Sequence, residues 1–112
     1  MKEDKNKLQA KTCKIGWRVF DIVLENQVVG DDLTGLYGEI RQAQNKIRIS
    51  SNYCIEQQKA TLLHEILHGV NSEFMNDVLT EENITTMANG LYTVMVDNPQ
   101  LFKEMIGGHN GV

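Results

Sequence analysis

The sequence has no excess of positive charge. Its 11 Lys and Arg are outnumbered by 15 Asp and Glu, a net charge of −4. That balance argues against a phosphate-binding surface, because nucleic-acid binders concentrate basic residues on one face. Five of the cations, Lys2, Lys5, Lys7, Lys11 and Lys14, are interleaved with Glu3 and Asp4 near the start, and residues 1–11 read as a solvated tail. No apolar run approaches the ~20 residues that a membrane span requires. The opening MKEDKNKLQAK has no apolar segment of the kind that makes a secretory signal. Cysteine is scarce: Cys13 and Cys54 lie far apart without CxxC spacing, and they read as reduced thiols of a cytoplasmic protein. Internal repeats are absent. A 41% hydrophobic and 23% charged composition is that of an ordinary globular chain. The expectation is one monomeric domain over 12–106, with a glycine-rich tail at 107–112 and neither nucleic acid nor membrane as a partner.

The first half of that domain carries strand signals. Ile15, Trp17 and Val19, then Ile22 and Leu24, alternate with other residues, with a change of phase near Phe20 and Asp21. Such alternation predicts a strand over 14–24, bulged at the phase change. VVGDDLTG is a turn-rich link in which Asp31 and Asp32 lack the ligand spacing of a calcium loop. LYGEI and KIRIS, separated by RQAQN, predict a hairpin with Asn45 in its turn. The second half changes period. Ala60, Leu62, Leu63, Ile66, Leu67 and Val70 form a broad apolar stripe at helical spacing between about 55 and 71. Thr80 is a candidate N-cap for a second helix whose stripe is Ile84, Met87, Ala88, Leu91 and Met95. Asn98-Pro99 ends it, and LFKEMI offers further helical turns. The fold class is α+β.

Within the first helix stands TLLHEILHGV. Residues four apart project from the same side of a helix, so His64 and His68 can aim two imidazoles at one ion. Zinc accepts neutral imidazole nitrogen, and its catalytic sites hold three protein ligands and a water. Glu65 projects roughly 100° from His64 and roughly 60° from His68, poorly placed as a ligand but well placed to take a proton from that water. With three His and nine Glu in the chain, H-E-x-x-H arises by chance roughly 0.6% of the time. The apolar stripe also centres away from both histidines, which places them on a flank.

The third zinc ligand is open from the residues alone. The longer metzincin pattern needs Gly at 71 and His at 74, where Asn71 and Phe74 stand, and His109 lies in the terminal tail. A carboxylate from the second helix remains. Glu81 shares a side with Ile84 and Ala88 and so leans toward the first helix, ahead of Glu82, which points away; Asp77, Glu73 or a water follow. Acidic residues in a first helical turn are favoured by the helix dipole whatever their function. Tyr37, Tyr53 and Tyr92 could in principle donate a hydrogen bond to an oxyanion, but they read first as core or boundary aromatics. Met75, Met87, Met95 and Met105 read as gap-filling residues.

The run from GLYGEI and NKIRIS through QQKATLLHEILHGV to LTEENITTMANGLYTVMVDNPQLF, covering roughly residues 14 to 102, resembles the small H-E-x-x-H proteins of bacteria, phages and prophages, reduced relatives of the ImmA/IrrE-type metallopeptidases. The resemblance implies a minimal zincin-like fold: a small antiparallel sheet made of an N-terminal strand plus a hairpin, the active-site helix, and a second packed helix offering an acidic ligand, as in gluzincins. It implies His64 and His68 as zinc ligands and Glu65 as the catalytic glutamate. Thr85 stands where such relatives often carry another Glu. The function expected is zinc-dependent hydrolysis of a peptide bond in a peptide or protein substrate, with Glu81 completing the metal ligands and a sheet edge, the 46–50 strand, holding substrate. The rival expectation is a catalytically silent, zinc-stabilised interaction module of phage or prophage origin.

Overall fold

The computed structural model describes residues 5–32 and 34–107. The segment expected to be one bulged strand is a hairpin of two: β1 (Thr12–Ile15) and β2 (Arg18–Glu25) pair antiparallel, with Ile15 opposite Arg18. Gly16, at φ 63°, supplies the positive φ that a two-residue hairpin turn needs at its first position. The phase change in the sequence is therefore a chain reversal, not a bulge. Trp17 sits at the turn and is 75% exposed, whereas Ile15, Phe20 and Ile22 point into the core.

The turn-rich link holds a second, very short hairpin of β3 (Val28–Val29) and β4 (Gly35–Leu36). Its turn is held by Asp32, whose carboxylate accepts from the Thr34 N–H and hydroxyl. β5 (Gly38–Arg41) and β6 (Lys46–Ser50) form the expected hairpin, joined by one 3-10 turn and by Asn45 in the left-handed region at φ 53°. The main sheet has the order β1-β2-β6-β5, with β2 and β6 parallel and the other pairings antiparallel, so it is mixed. The strand at 46–50 is thereby interior, hydrogen-bonded on both sides. It cannot take an added strand; the open edge on that side is β5.

Three helices follow. α1 (Ile55–Phe74) runs three residues past its expected end. α2 (Glu81–Asp97) begins as the sequence implies, with Thr80 in a reciprocal capping box with Asn83, both bonds 3.0 Å. Asn98 and Pro99 separate it from α3 (Pro99–Ile106). Of the stripe expected on α2, Ile84 and Ala88 are buried but Met87 and Met95 are 41% and 37% exposed. The helix is covered on one side only, which narrows its apolar contact.

The core lies between the sheet and α1: Ile15, Phe20, Ile22, Ile47 and Ile49, flanked by Ile40, Leu62, Ile66 and Val70. Leu8 also packs there, and its N–H donates to Gln58 Oε1, while Gln58 Nε2 donates to the carbonyls of Asn6 and Tyr53. Part of the stretch assigned to a solvated tail is thus tied to α1 by a buried amide. On the opposite face of the sheet, Arg48 bridges Glu25 and Glu39, each at 2.7 Å.

Two glycines allow α1 to lie close to the sheet. A Cβ at Gly69 would meet Ile15 Cδ1 at 2.5 Å; one at Gly38 would meet Thr61 Cγ2 at 2.5 Å and the Arg48 carbonyl oxygen at 2.9 Å. Gly38→Ala is expected to destabilise the fold by about 1–3 kcal/mol, the usual cost of overpacking. Gly90→Ala, in open space on α2, should stabilise by up to about 1 kcal/mol through helix propensity. Denaturant unfolding of the two variants checks the contrast, and equal effects would mean that β5 yields freely to α1.

Candidate metal centre

α1 is clasped on two sides. Its Gln58, Thr61, Glu65 and Gly69 are buried, and another face is turned to α2. His64 and His68 emerge between these faces, at the gap between the sheet and α2, and both are half-buried. Their Nε2 atoms lie 3.2 Å apart. Glu81, from the first turn of α2, closes the triangle: Oε1 is 2.9 Å from His64 Nε2, and Oε2 is 2.7 Å from His68 Nε2.

The position of Glu81 is set by the chain that leads into it. The buried Asn71 side chain grips Leu79 from both sides, accepting its N–H at 3.0 Å and donating to its carbonyl at 3.2 Å. The Asn71 carbonyl accepts from the N–H groups of Met75 and Asp77. Asn76 and Asp77 take left-handed conformations, at φ 54° and 58°, which turn the chain back sharply. Thr80 then caps α2, and Glu81 is its first residue. In the sequence Asn71 served only to exclude the longer histidine pattern; its clamp was not legible, because its partners are backbone groups eight residues on. Its signal was the pairing of an Asn in a helix's last turn with an Asn-Asp turn.

Glu65 points toward β5 and is 7% exposed. Burial pushes its carboxyl up to about 7, with the Glu81 carboxylate adding to the rise and a hydrogen bond from the Ile40 backbone opposing it. Burial also lowers the His68 pKa, against the pull of Glu81, which favours the neutral imidazole that a metal needs.

The donor set suits zinc. Tetrahedral bonds of 2.0–2.1 Å place ligand atoms about 3.3 Å apart; the N···N distance here is 3.2 Å, and each imidazole meets its own oxygen of the Glu81 carboxylate, at 2.9 and 2.7 Å. Among the described residues, these three are the group of His, Cys, Asp and Glu whose donor atoms converge, all within 4.8 Å. The other candidates are elsewhere. Glu73 pairs with Arg18 at 3.2 Å, Asp77 is in the exposed turn before α2, Glu82 is exposed outside the group, and His109 lies outside the described residues. Tyr37 borders the cleft and packs against Tyr53 with the rings tilted by 55°, whereas Tyr92 lines a groove on the far side of α1. Thr85, one turn beyond Glu81, donates a long hydrogen bond to it at 3.5 Å.

Two measurements test this arrangement. Asn71→Ala should cost about 1–3 kcal/mol, the penalty for leaving buried backbone partners unsatisfied, and should also loosen metal binding, which an effect on stability alone would not do. The second concerns Glu65 in chelator-treated protein. A carboxyl whose folded pKa lies above its unfolded value of about 4.5 binds extra protons in the folded state. Stability is then lost as pH rises from the unfolded pKa toward 7, by up to about 3 kcal/mol. Glu65→Gln removes that loss, so the difference between the two stability profiles should widen with pH; parallel profiles would refute the burial of a titrating carboxyl.

Compared with protein-family models, with curated proteins and with solved structures, the chain matches none.

Proposed function

We propose that the chain is a single-domain, zinc-dependent metallopeptidase that hydrolyses a peptide bond. One observation carries this: two imidazoles of α1 and a carboxylate of α2, 17 residues from the first of them, aim their donor atoms at one point beside a buried glutamate that is not itself among the donors. His64, His68 and Glu81 would hold the ion. Zinc held there would polarise a carbonyl oxygen and acidify a water.

The chain's own residues do the rest. Glu65 takes a proton from the attacking water as oxygen bonds to the carbonyl carbon. It returns that proton to the nitrogen as the carbon–nitrogen bond breaks, leaving a carboxylic acid, which keeps the water's other hydrogen, and an amine. A carboxyl titrating near 7 suits both directions, because it holds and releases a proton with little driving force either way. The free edge of β5 borders the cleft through Gly38, Glu39 and Ile40. There an extended peptide can add as a further strand, while Glu65 occupies the Ile40 backbone donor. The cleft continues on both sides of the three donors, as cavities of about 380 and 250 Å³. That leaves room for substrate, and it favours an enzyme over a zinc-stabilised interaction module, whose ion would be closed off by a fourth protein ligand.

Zinc content by mass, and cleavage of a mixed peptide pool read by mass spectrometry, test the proposal together. Wild type should carry one zinc; His64→Ala and His68→Ala should lose both metal and cleavage. Glu65→Gln should keep the metal while cleavage falls by at least about 100-fold. Glu81→Ala should weaken zinc strongly, whereas Glu82→Ala removes only a helix-turn charge worth about 0.3–1 kcal/mol. Loss of zinc from Glu65→Gln would make Glu65 a ligand and end this mechanism; zinc without cleavage in wild type would leave the interaction module.

A further inference from the structure

The larger of the two cavities beside the site has a chemistry of its own. It occupies about 380 Å³ and extends from His64 toward the N-terminal end of α1. That volume falls within the ~300–1,000 Å³ of typical small-molecule sites and is far more than a metal ion needs. One wall is α1, with Gln57, Ala60 and Thr61; the facing wall is α2, with Thr85 and Asn89 one and two turns beyond Glu81; Tyr37 forms the lip.

Apart from His64, Glu65 and Glu81, no His, Lys, Arg, Asp or Glu lines it. The other polar side-chain groups are three hydroxyls, of Tyr37, Thr61 and Thr85, and the two carboxamides of Gln57 and Asn89. Lys59, the nearest lysine on α1, faces the groove on the other side of the helix. The inner polar groups already have partners: Gln57 Nε2 donates to Thr61 Oγ1 at 3.0 Å, and Thr85 donates to Glu81. The Asn89 carboxamide, exposed at the mouth, makes no hydrogen bond among the described residues. The Tyr37 ring is braced by Tyr53, with centroids 4.5 Å apart, and presents a firm apolar surface.

We infer that this cavity receives a bulky, uncharged side chain of the substrate next to the scissile bond, and that Asn89 and Gln57 set the preference for neutrality. A charged side chain entering here loses hydration and finds no opposite charge outside the metal centre, which is unfavourable. An apolar one gains contact with Ala60, Leu36 and Tyr37, and an amide-bearing one can exchange its lost water for the Asn89 carboxamide. The inference rests on the metallopeptidase proposal, because it treats His64, His68 and Glu81 as the point from which the side chain is measured.

The test uses the full-length, zinc-loaded chain and four hydroxamates, which chelate zinc through a common head. Acetohydroxamate has no tail; the other three carry tails of equal length ending in phenyl, ammonium or carboxylate. Binding of acetohydroxamate reports on the metal alone. The phenyl tail should improve affinity over it by about tenfold, as burial of an aromatic group allows, and neither charged tail should improve it. In Asn89→Lys the carboxylate tail should gain about fivefold, the upper range for an exposed ion pair, with acetohydroxamate unchanged. Gln57→Lys provides the same reading from the other wall should the first variant fold poorly. Equal gains from all three tails in wild type, or no gain for carboxylate in either lysine variant, would overturn the cavity's role while leaving the metal site standing. A chain that carries no zinc and binds no acetohydroxamate would overturn both.

Discussion

The seam between α1 and the edge strand β5 governs much of this structure. The helix comes so near the strand that a side chain at Gly38 has no space beside Thr61 and the Arg48 carbonyl, and Gly69 makes the same allowance against Ile15 one end further along. That closeness takes Glu65 out of water and gives it a backbone hydrogen bond from Ile40. It also fixes the rotation of α1. Once residues 58, 61, 65 and 69 face the sheet, helical geometry leaves positions 64 and 68 at the margin, where imidazoles can reach a shared point without entering the core.

The third donor comes by a different route. Nothing in the core demands that Glu81 reach the histidines; the clamp of Asn71 on Leu79 and the two left-handed residues after it bring the chain back over the same flank. The result places two carboxylates, Glu65 and Glu81, near each other in a partly desolvated cleft. A like charge nearby disfavours ionisation of a buried carboxyl, and the rise at Glu65 has Glu81 among its causes after burial. A divalent cation would relieve the same repulsion, so the metal and the base proposed for this cleft would both draw on one charge arrangement.

Charge elsewhere is handled in the opposite way. The arginines of the sheet are spent on its outer face: Arg48 on Glu25 and Glu39, Arg41 on Glu39 and Asp31. Arg18 meets Glu73 at the end of α1. None of these cations lines the cleft, so its polar character comes from imidazole, carboxyl, hydroxyl and amide groups.

The helical half was largely legible from sequence, because its signals are local. The 3.6-residue stripe, Thr80 before an acidic turn, and Asn98-Pro99 each act within a few residues, and so does the four-residue spacing of His64 and His68. The leaning of Glu81 toward α1 was legible for the same reason, from its spacing to Ile84 and Ala88. The sheet was read less well. Alternation around Phe20 carries no mark separating a bulge from a reversal until Gly16 is seen to adopt a positive φ, and a strand's rank in a sheet depends on partners far away in the chain, which is why β6 is interior. Sequence by itself determined which side chains share a helix face. Tertiary structure alone decided which face is buried, that Glu65 lies in a dry seam, and that a carboxylate from another helix meets both imidazoles, because desolvation and convergence are properties of packed surfaces and not of any one segment.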